Sequence, residues 1–150
     1  MKYLFLPLIS VLFLLNLMVG LSRAADNEPQ TTQKVSVSTT SLIVGEITFA
    51  KEKDGRERVC IPFNQRYMPE IFSIPGKKPR IVVDLKEVSQ WPEKAIIPTN
   101  GLLIQQVRMH LYSNVGKLRI VLDLDPSMDY GVSPSYYEGE NIYCIDVSRK

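Results

Sequence analysis

The hexapeptide Arg-Ile-Val-Val-Asp-Leu at Arg80–Leu85 returns as Arg-Ile-Val-Leu-Asp-Leu at Arg119–Leu124, and strict alternation in both copies leaves little choice of local structure. At a period of two, Arg80, Val82 and Asp84 share one strand face, and Arg119, Val121 and Asp123 share the matching face of the second copy. Three aliphatic side chains line the reverse of each and require burial. The charged faces each carry a cation and an anion four residues apart, about 13 Å at the rise of a strand. That is too far for pairing along the strand, so both must find partners elsewhere.

The rest of the chain agrees. Between Leu42 and Val147 short β-rich runs alternate with turn residues, and no stretch sustains a helical period. The first hairpin reads as Leu42–Ala50 and Arg58–Phe63 around Lys53-Asp54-Gly55, with Pro62 marking an edge or a bulge. Glu70–Ile74 leads through Pro75–Pro79 into the first hexapeptide, and Leu102–Leu111 leads through Ser113–Gly116 into the second. Tyr130–Ser133 and Ile142–Val147 form the last pair around Glu138–Asn141. Val88–Gly101, with Pro92, Pro98 and Asn100-Gly101, reads as a long connection from one sheet to the other. The fold class is therefore all-β: eight strands predict a β-sandwich of two four-stranded sheets with one hexapeptide in each, a flattened barrel being the alternative. The flanks of the two copies align poorly, which makes this a motif used twice and not a duplicated half.

Residues 1–24 carry a basic Lys2, an apolar run from Leu4 to Leu21 and the small-x-small site Ser22-Arg23-Ala24, an export signal that is either cleaved or kept as an amino-terminal anchor. No Cys follows the run, which excludes a lipoprotein anchor. Residues 25–41, rich in Thr, Ser, Gln and Asn, read as a flexible leader, and 42–150 as one domain. The chain has 18 basic and 16 acidic residues; losing Lys2 and Arg23 with the signal leaves 16 of each. The exported part is thus neutral, which gives no global argument for nucleic acid, and membrane contact is expected only through a retained first segment. Cys60 and Cys144 both fall in the exported part, where a disulfide is permitted, and each shares parity with a polar neighbour, Arg58 and Asp146. A bridge or two separate small hydrophobes fits the spacing equally.

Catalysis finds no support. The single His110 reads as a half-buried strand residue, and neither a G-x-S-x-G turn nor an H-E-x-x-H pair occurs. One His and two distant Cys make no metal site, and no cofactor motif is present. Asp123 and Asp125 share a face, but Pro126 marks an ordinary strand exit. Binding chemistry is richer: Arg80, Arg108 and Arg119 offer planar forks for carboxylates, while Asp84 and Asp123 accept from hydroxyls and amides. The bland alternative is cross-strand ion pairing worth about 0.2–1 kcal/mol a pair. Tyr130 and Tyr143 read as rim residues with the ring inside and the hydroxyl wet; Tyr136, Tyr137 and Trp91 are open.

The order Pro79–Leu85, Ile104–Arg108, Arg119–Leu124 and a closing strand Ile142–Val147 resembles the AMIN domain, found ahead of the catalytic part of periplasmic N-acetylmuramoyl-L-alanine amidases and ahead of the pore of type IV pilus secretins. The similarity runs over Leu42–Val147. It implies a sandwich with its motifs on outer faces and a non-enzymatic module that binds peptidoglycan or holds its host at the envelope, in the periplasm of a Gram-negative bacterium. By motif position it implies Arg80, Asp84, Arg108, Arg119 and Asp123 as ligand residues. The alternative partner is a secretin, pilus or secretion protein met through a sheet edge or the Tyr-rich end. Neither amidase nor secretin sequence accompanies the motifs, so neither activity is carried over, and the Cys pair is no part of the family pattern.

Overall fold

The computed structural model describes residues 41–150. The export signal and all of the leader but Ser41 lie outside the described residues. Within them the chain forms eleven strands and no helix: β1 Leu42–Ile43, β2 Thr48–Lys51, β3 Glu57–Pro62, β4 Glu70–Ile74, β5 Arg80–Leu85, β6 Val88–Gln90, β7 Ile96–Pro98, β8 Ile104–Tyr112, β9 Lys117–Leu124, β10 Tyr130–Tyr137 and β11 Ile142–Arg149. A four-stranded sheet has the order β10-β11-β3-β2, a five-stranded sheet the order β4-β5-β9-β8-β7, and β1 pairs with β6 in a small parallel sheet.

The all-β class holds; the expectation of two four-stranded sheets does not. Val88–Gly101 is more than a connection, because three residues on either side of Pro92 find partners. Glu87 adopts a left-handed φ of 58° and turns the chain into β6, and β7 adds to β8 with Ile96 opposite Arg108. Runs of three residues bounded by prolines leave no periodic trace, and Pro98 is tolerated because β7 is an edge strand. Leu42–Ala50 likewise breaks in two. Pro62 ends β3 where the pairing with β2 is interrupted: Thr48 faces Cys60, Gly45 N–H donates to the Pro62 carbonyl and Val44 bridges Phe63, so one extra residue on the Val44–Thr48 side makes this a bulge.

The two hexapeptides are also not one per sheet. They are β5 and the greater part of β9, hydrogen-bonded antiparallel neighbours in the five-stranded sheet. Their aliphatic faces are fully buried: Ile81, Val83 and Leu85 from one, Ile120, Leu122 and Leu124 from the other, against Val59, Ile61, Ile145 and Val147 of the four-stranded sheet. Each such side chain contributes about 1.5–3 kcal/mol by leaving water. Tyr143, expected at the rim, is buried in this core. Its partner β10 is an edge strand, yet Tyr143 lies on the inward parity of β11 with Ile145 and Val147.

One polar group crosses the core. Glu57 begins β3 on the same inward parity as Val59 and Ile61 and is only 3% exposed. Its carboxylate accepts hydrogen bonds from three successive backbone N–H groups where the chain enters β8 of the other sheet, Leu102 (2.5 Å), Leu103 (3.1 Å) and Ile104 (2.7 Å). Three amides converging on one anion make a nest, here filled from within the chain. The turn is shaped for it. Asn100 takes a left-handed φ of 51°, Thr99 Oγ1 donates to the Ile104 carbonyl, and a Cβ on Gly101 would overlap the Glu57 carboxylate. Glu57→Ala strands these buried donors and is expected to cost at least about 3 kcal/mol, read as a fall in the urea midpoint with an unchanged m-value.

On the outward face of the four-stranded sheet Cys60 and Cys144 sit directly opposite each other on β3 and β11, and their sulfurs are bonded. The Cα atoms are 4.1 Å apart and the residues are separated by 84 positions. Closing so long a loop removes chain entropy from the unfolded state worth about 4 kcal/mol. Cys60→Ala/Cys144→Ala is therefore expected to unfold about 2–5 kcal/mol more easily. Equal stability of this variant and the oxidised parent in chemical denaturation would contradict that.

Candidate functional site

All five residues singled out by motif position lie on the outer face of the five-stranded sheet. The register of β5 and β9 explains how. Arg80 faces Asp123, Val82 faces Val121, and Asp84 faces Arg119, so each copy sets its cation against the other copy's anion about a central Val pair. The partner that neither strand could supply alone is supplied by the repeat.

Only one of the two crossings closes. Arg119 grips Asp84 through Nε and Nη2, both at 2.7 Å, Lys117 Nζ stands 3.4 Å away, and the Arg119 guanidinium lies over the Phe72 ring at 5.9 Å. These long side chains roof the sheet so closely that Val82, on the nominal solvent face, is 2% exposed. At the other crossing Asp123 is taken by β8. Arg108 binds it through Nε (2.5 Å) and Nη2 (2.7 Å), and Gln106 donates from 2.8 Å.

Neighbouring strands cause the asymmetry. Asp84 has Glu70 on its far side, which offers no competing cation. Asp123 has β8 on its far side, where an irregularity at Gln105 brings Gln106 opposite it. Arg80 faces an occupied carboxylate on one side and Ile74 on the other, and makes no salt bridge to a described residue.

Arg80 instead lines a cleft of about 610 Å³ together with Lys77, Lys78, Gln106 and Arg108. Four cations there surround the single carboxylate of Asp123. Such a site suits an anionic group, and a free guanidinium fork suits a carboxylate best. A second groove of about 500 Å³, reaching Tyr130 and Lys150, shares Arg80 as its wall. Lys77, Lys78 and Gln106 were not among the expected ligand residues. Gln106 shares the outward parity of Arg108 and was open to the same period-of-two reading, whereas the lysines stand in the turn before the first motif, where no alternation marks them.

The electrostatics follow the contacts. Asp84 is held below its ordinary pKa first by its hydrogen bond from Arg119, against an opposing push from burial. Asp123 is lowered first by Arg108, with Gln106 and the more distant charge of Arg80 assisting. Asp125 accepts from the backbone N–H of Ser127 and from its hydroxyl, the geometry of a strand exit.

His110 is exposed, not half-buried. It points outward on β8 beside Tyr112, the ring centroids 4.6 Å apart at 81°. The outer face of the four-stranded sheet is internally paired: Asp146 accepts from Arg58 (2.6 and 3.0 Å) and from Arg56 (3.2 Å). Tyr136 and Trp91 pack against the core, Tyr130 packs there too with its hydroxyl donating to the Asp125 carbonyl, and Tyr137 is exposed. Burial raises the pKa of Tyr130 and Tyr143. Among the described residues no three His, Cys, Asp or Glu side chains gather to hold a metal ion.

The described residues form a β-sandwich with a cationic cleft on one outer sheet face. The AMIN domain model matches residues 46–142, well over half of the chain, and the chain belongs to the AMIN domain family. No curated protein matches it. AMIN domains are periplasmic, non-catalytic modules that in general target peptidoglycan.

The lowered carboxylates give a pH signature. A folded-state pKa below the unfolded value adds stability that is present above the unfolded pKa and is lost as pH falls through the folded one. Stability is therefore expected to decline as pH drops below about 4 and onward through the lowered values. Asp84→Asn/Asp123→Asn should flatten this slope, leaving the part due to Asp54 and Asp125. Urea midpoints measured stepwise from neutral to acid pH check it; an unchanged slope in the variant would exclude these two residues as its source.

Proposed function

We propose that this chain is an exported module that binds peptidoglycan non-covalently through the Arg80 cleft and so fixes its position in the periplasm. One observation carries the reading: in an exported part of zero formal charge, Arg80 is left without a salt bridge to a described residue, in a cleft of four cations and one carboxylate. Peptidoglycan stems present free carboxylates beside hydroxyls and amides. A carboxylate entering the cleft would meet the Arg80 fork, with Lys77 and Lys78 adding attraction and Gln106 adding an amide.

Asp84, Arg119, Asp123 and Arg108 act chiefly as a frame in this reading. Their mutual grips hold the strand face rigid, and Asp123, by engaging Arg108, keeps Arg80 available. The interaction is electrostatic and partly open to solvent, so it weakens with salt.

Co-sedimentation with purified sacculi tests the proposal. Wild type is expected in the pellet at low ionic strength and progressively in the supernatant as salt rises. Arg80→Ala should lose most of the binding, roughly tenfold or more in affinity for a charge-assisted contact of about 1.5–3 kcal/mol. Equal retention of wild type and Arg80→Ala would sink the cleft as the site.

A further inference from the structure

Next to the Arg80 cleft on the same sheet face lies a groove of about 400 Å³ with a different chemistry, lined by Ile96, Arg108, His110, Tyr112, Arg119 and Val121. Its surfaces are rings and aliphatic groups. His110 is exposed, Tyr112 is 37% exposed and Ile96 is more exposed still. The two rings meet edge to face, and the Lys117 ammonium stands 5.1 Å from the Tyr112 centroid, which holds that ring in place on an open strand face.

The two arginines of the groove are already engaged by carboxylates. Arg108 engages Asp123 and Arg119 engages Asp84, each through Nε and Nη2, and Nη1 of each has no hydrogen-bond partner among the described residues. Their remaining N–H groups are donors on guanidinium groups whose orientation is fixed and which already face a carboxylate. An anion gains more at Arg80. A neutral molecule with hydroxyl or amide acceptors on one edge and a C–H face on the other fits this groove: fixed donors meet the acceptors, and Tyr112, His110 and Ile96 meet the apolar face.

We infer that this groove takes the ring of an uncharged N-acetylated sugar, as a second contact of the polymer whose carboxylate enters the Arg80 cleft. Arg108 lines both cavities, so the two sites are continuous. Along the strands the row of Asp123 and Gln106 lies four residues from the row of Arg119 and His110, about 13 Å, so an extended chain and not a single small ligand spans both. The inference rests on the peptidoglycan reading for this continuity but names residues that reading does not use.

The N-acetylglucosamine pentamer, which carries no carboxylate, isolates the sugar contact. Added to the exported protein, it is expected to shift the backbone amide resonances of Ile96, His110 and Tyr112. Tyr112→Ala and His110→Ala should each weaken it by roughly fivefold or more, from the loss of a stacking ring. Tyr112→Phe keeps the ring and should keep the binding, and Tyr137→Ala, on the other sheet, should leave it unchanged.

No shift up to the solubility of the pentamer, shifts confined elsewhere, or equal affinity in the alanine variants would overturn the inference. Sedimentation with sacculi in parallel separates the two readings. Arg80-dependent pelleting without pentamer binding would remove the sugar groove alone. Pentamer binding without pelleting would remove the Arg80 reading and leave the groove as a site for uncharged oligosaccharide.

Discussion

The register between β5 and β9 sets everything that follows. Alternation alone does not specify it: sliding one strand by two residues would keep every aliphatic side chain inward. The charges favour one register. Displaced by two, Arg80 would face Val121 and Val82 would face Arg119; displaced by four, Arg80 would face Arg119. Only the observed register sets each cation against an anion, with Val82 on Val121 between them. A motif of the form R-x-V-x-D is self-complementary when antiparallel, so its repetition supplies the pairing rule for the centre of the sheet.

A symmetric rule placed among unequal neighbours gives an unequal result. β4 brings Glu70 to the Asp84 side, and β8 brings Gln106 and Arg108 to the Asp123 side. One crossing therefore closes on itself while the other gives up its carboxylate to a third strand. The displaced guanidinium, with two lysines from the adjoining turn, concentrates positive charge on one sheet face. Net charge does not report such a patch, because it is blind to where the charges collect.

The alternation of Arg80–Leu85 and Arg119–Leu124 made the strands, their buried faces and the outward Arg and Asp legible from sequence, and the order of motifs made the family legible. What escaped depended on partners distant in the chain. Sheet membership of the two copies could not follow from alternation, which is the same whether a strand's neighbour is its twin or another segment. β6 and β7 are too short for any period. Glu57 was hidden by its type: a carboxylate on the parity of Val59 and Ile61 looks like an error in the pattern until the three amides of Leu102, Leu103 and Ile104 are seen to meet it. His110 was misjudged because a lone His in an apolar strand is usually half-covered, whereas the outward parity of β8 leaves it open beside Tyr112.

The bond between Cys60 and Cys144 has a consequence for how the molecule is made. β3 is among the first strands to be delivered and β11 is the last, and the intervening stretch holds both motif copies and the whole five-stranded sheet. The two sulfurs come opposite each other only when β11 has found its place against β3. Oxidation therefore registers that the last described strand has joined its sheet, and the bond is set on the sheet that does not carry the Arg80 cleft.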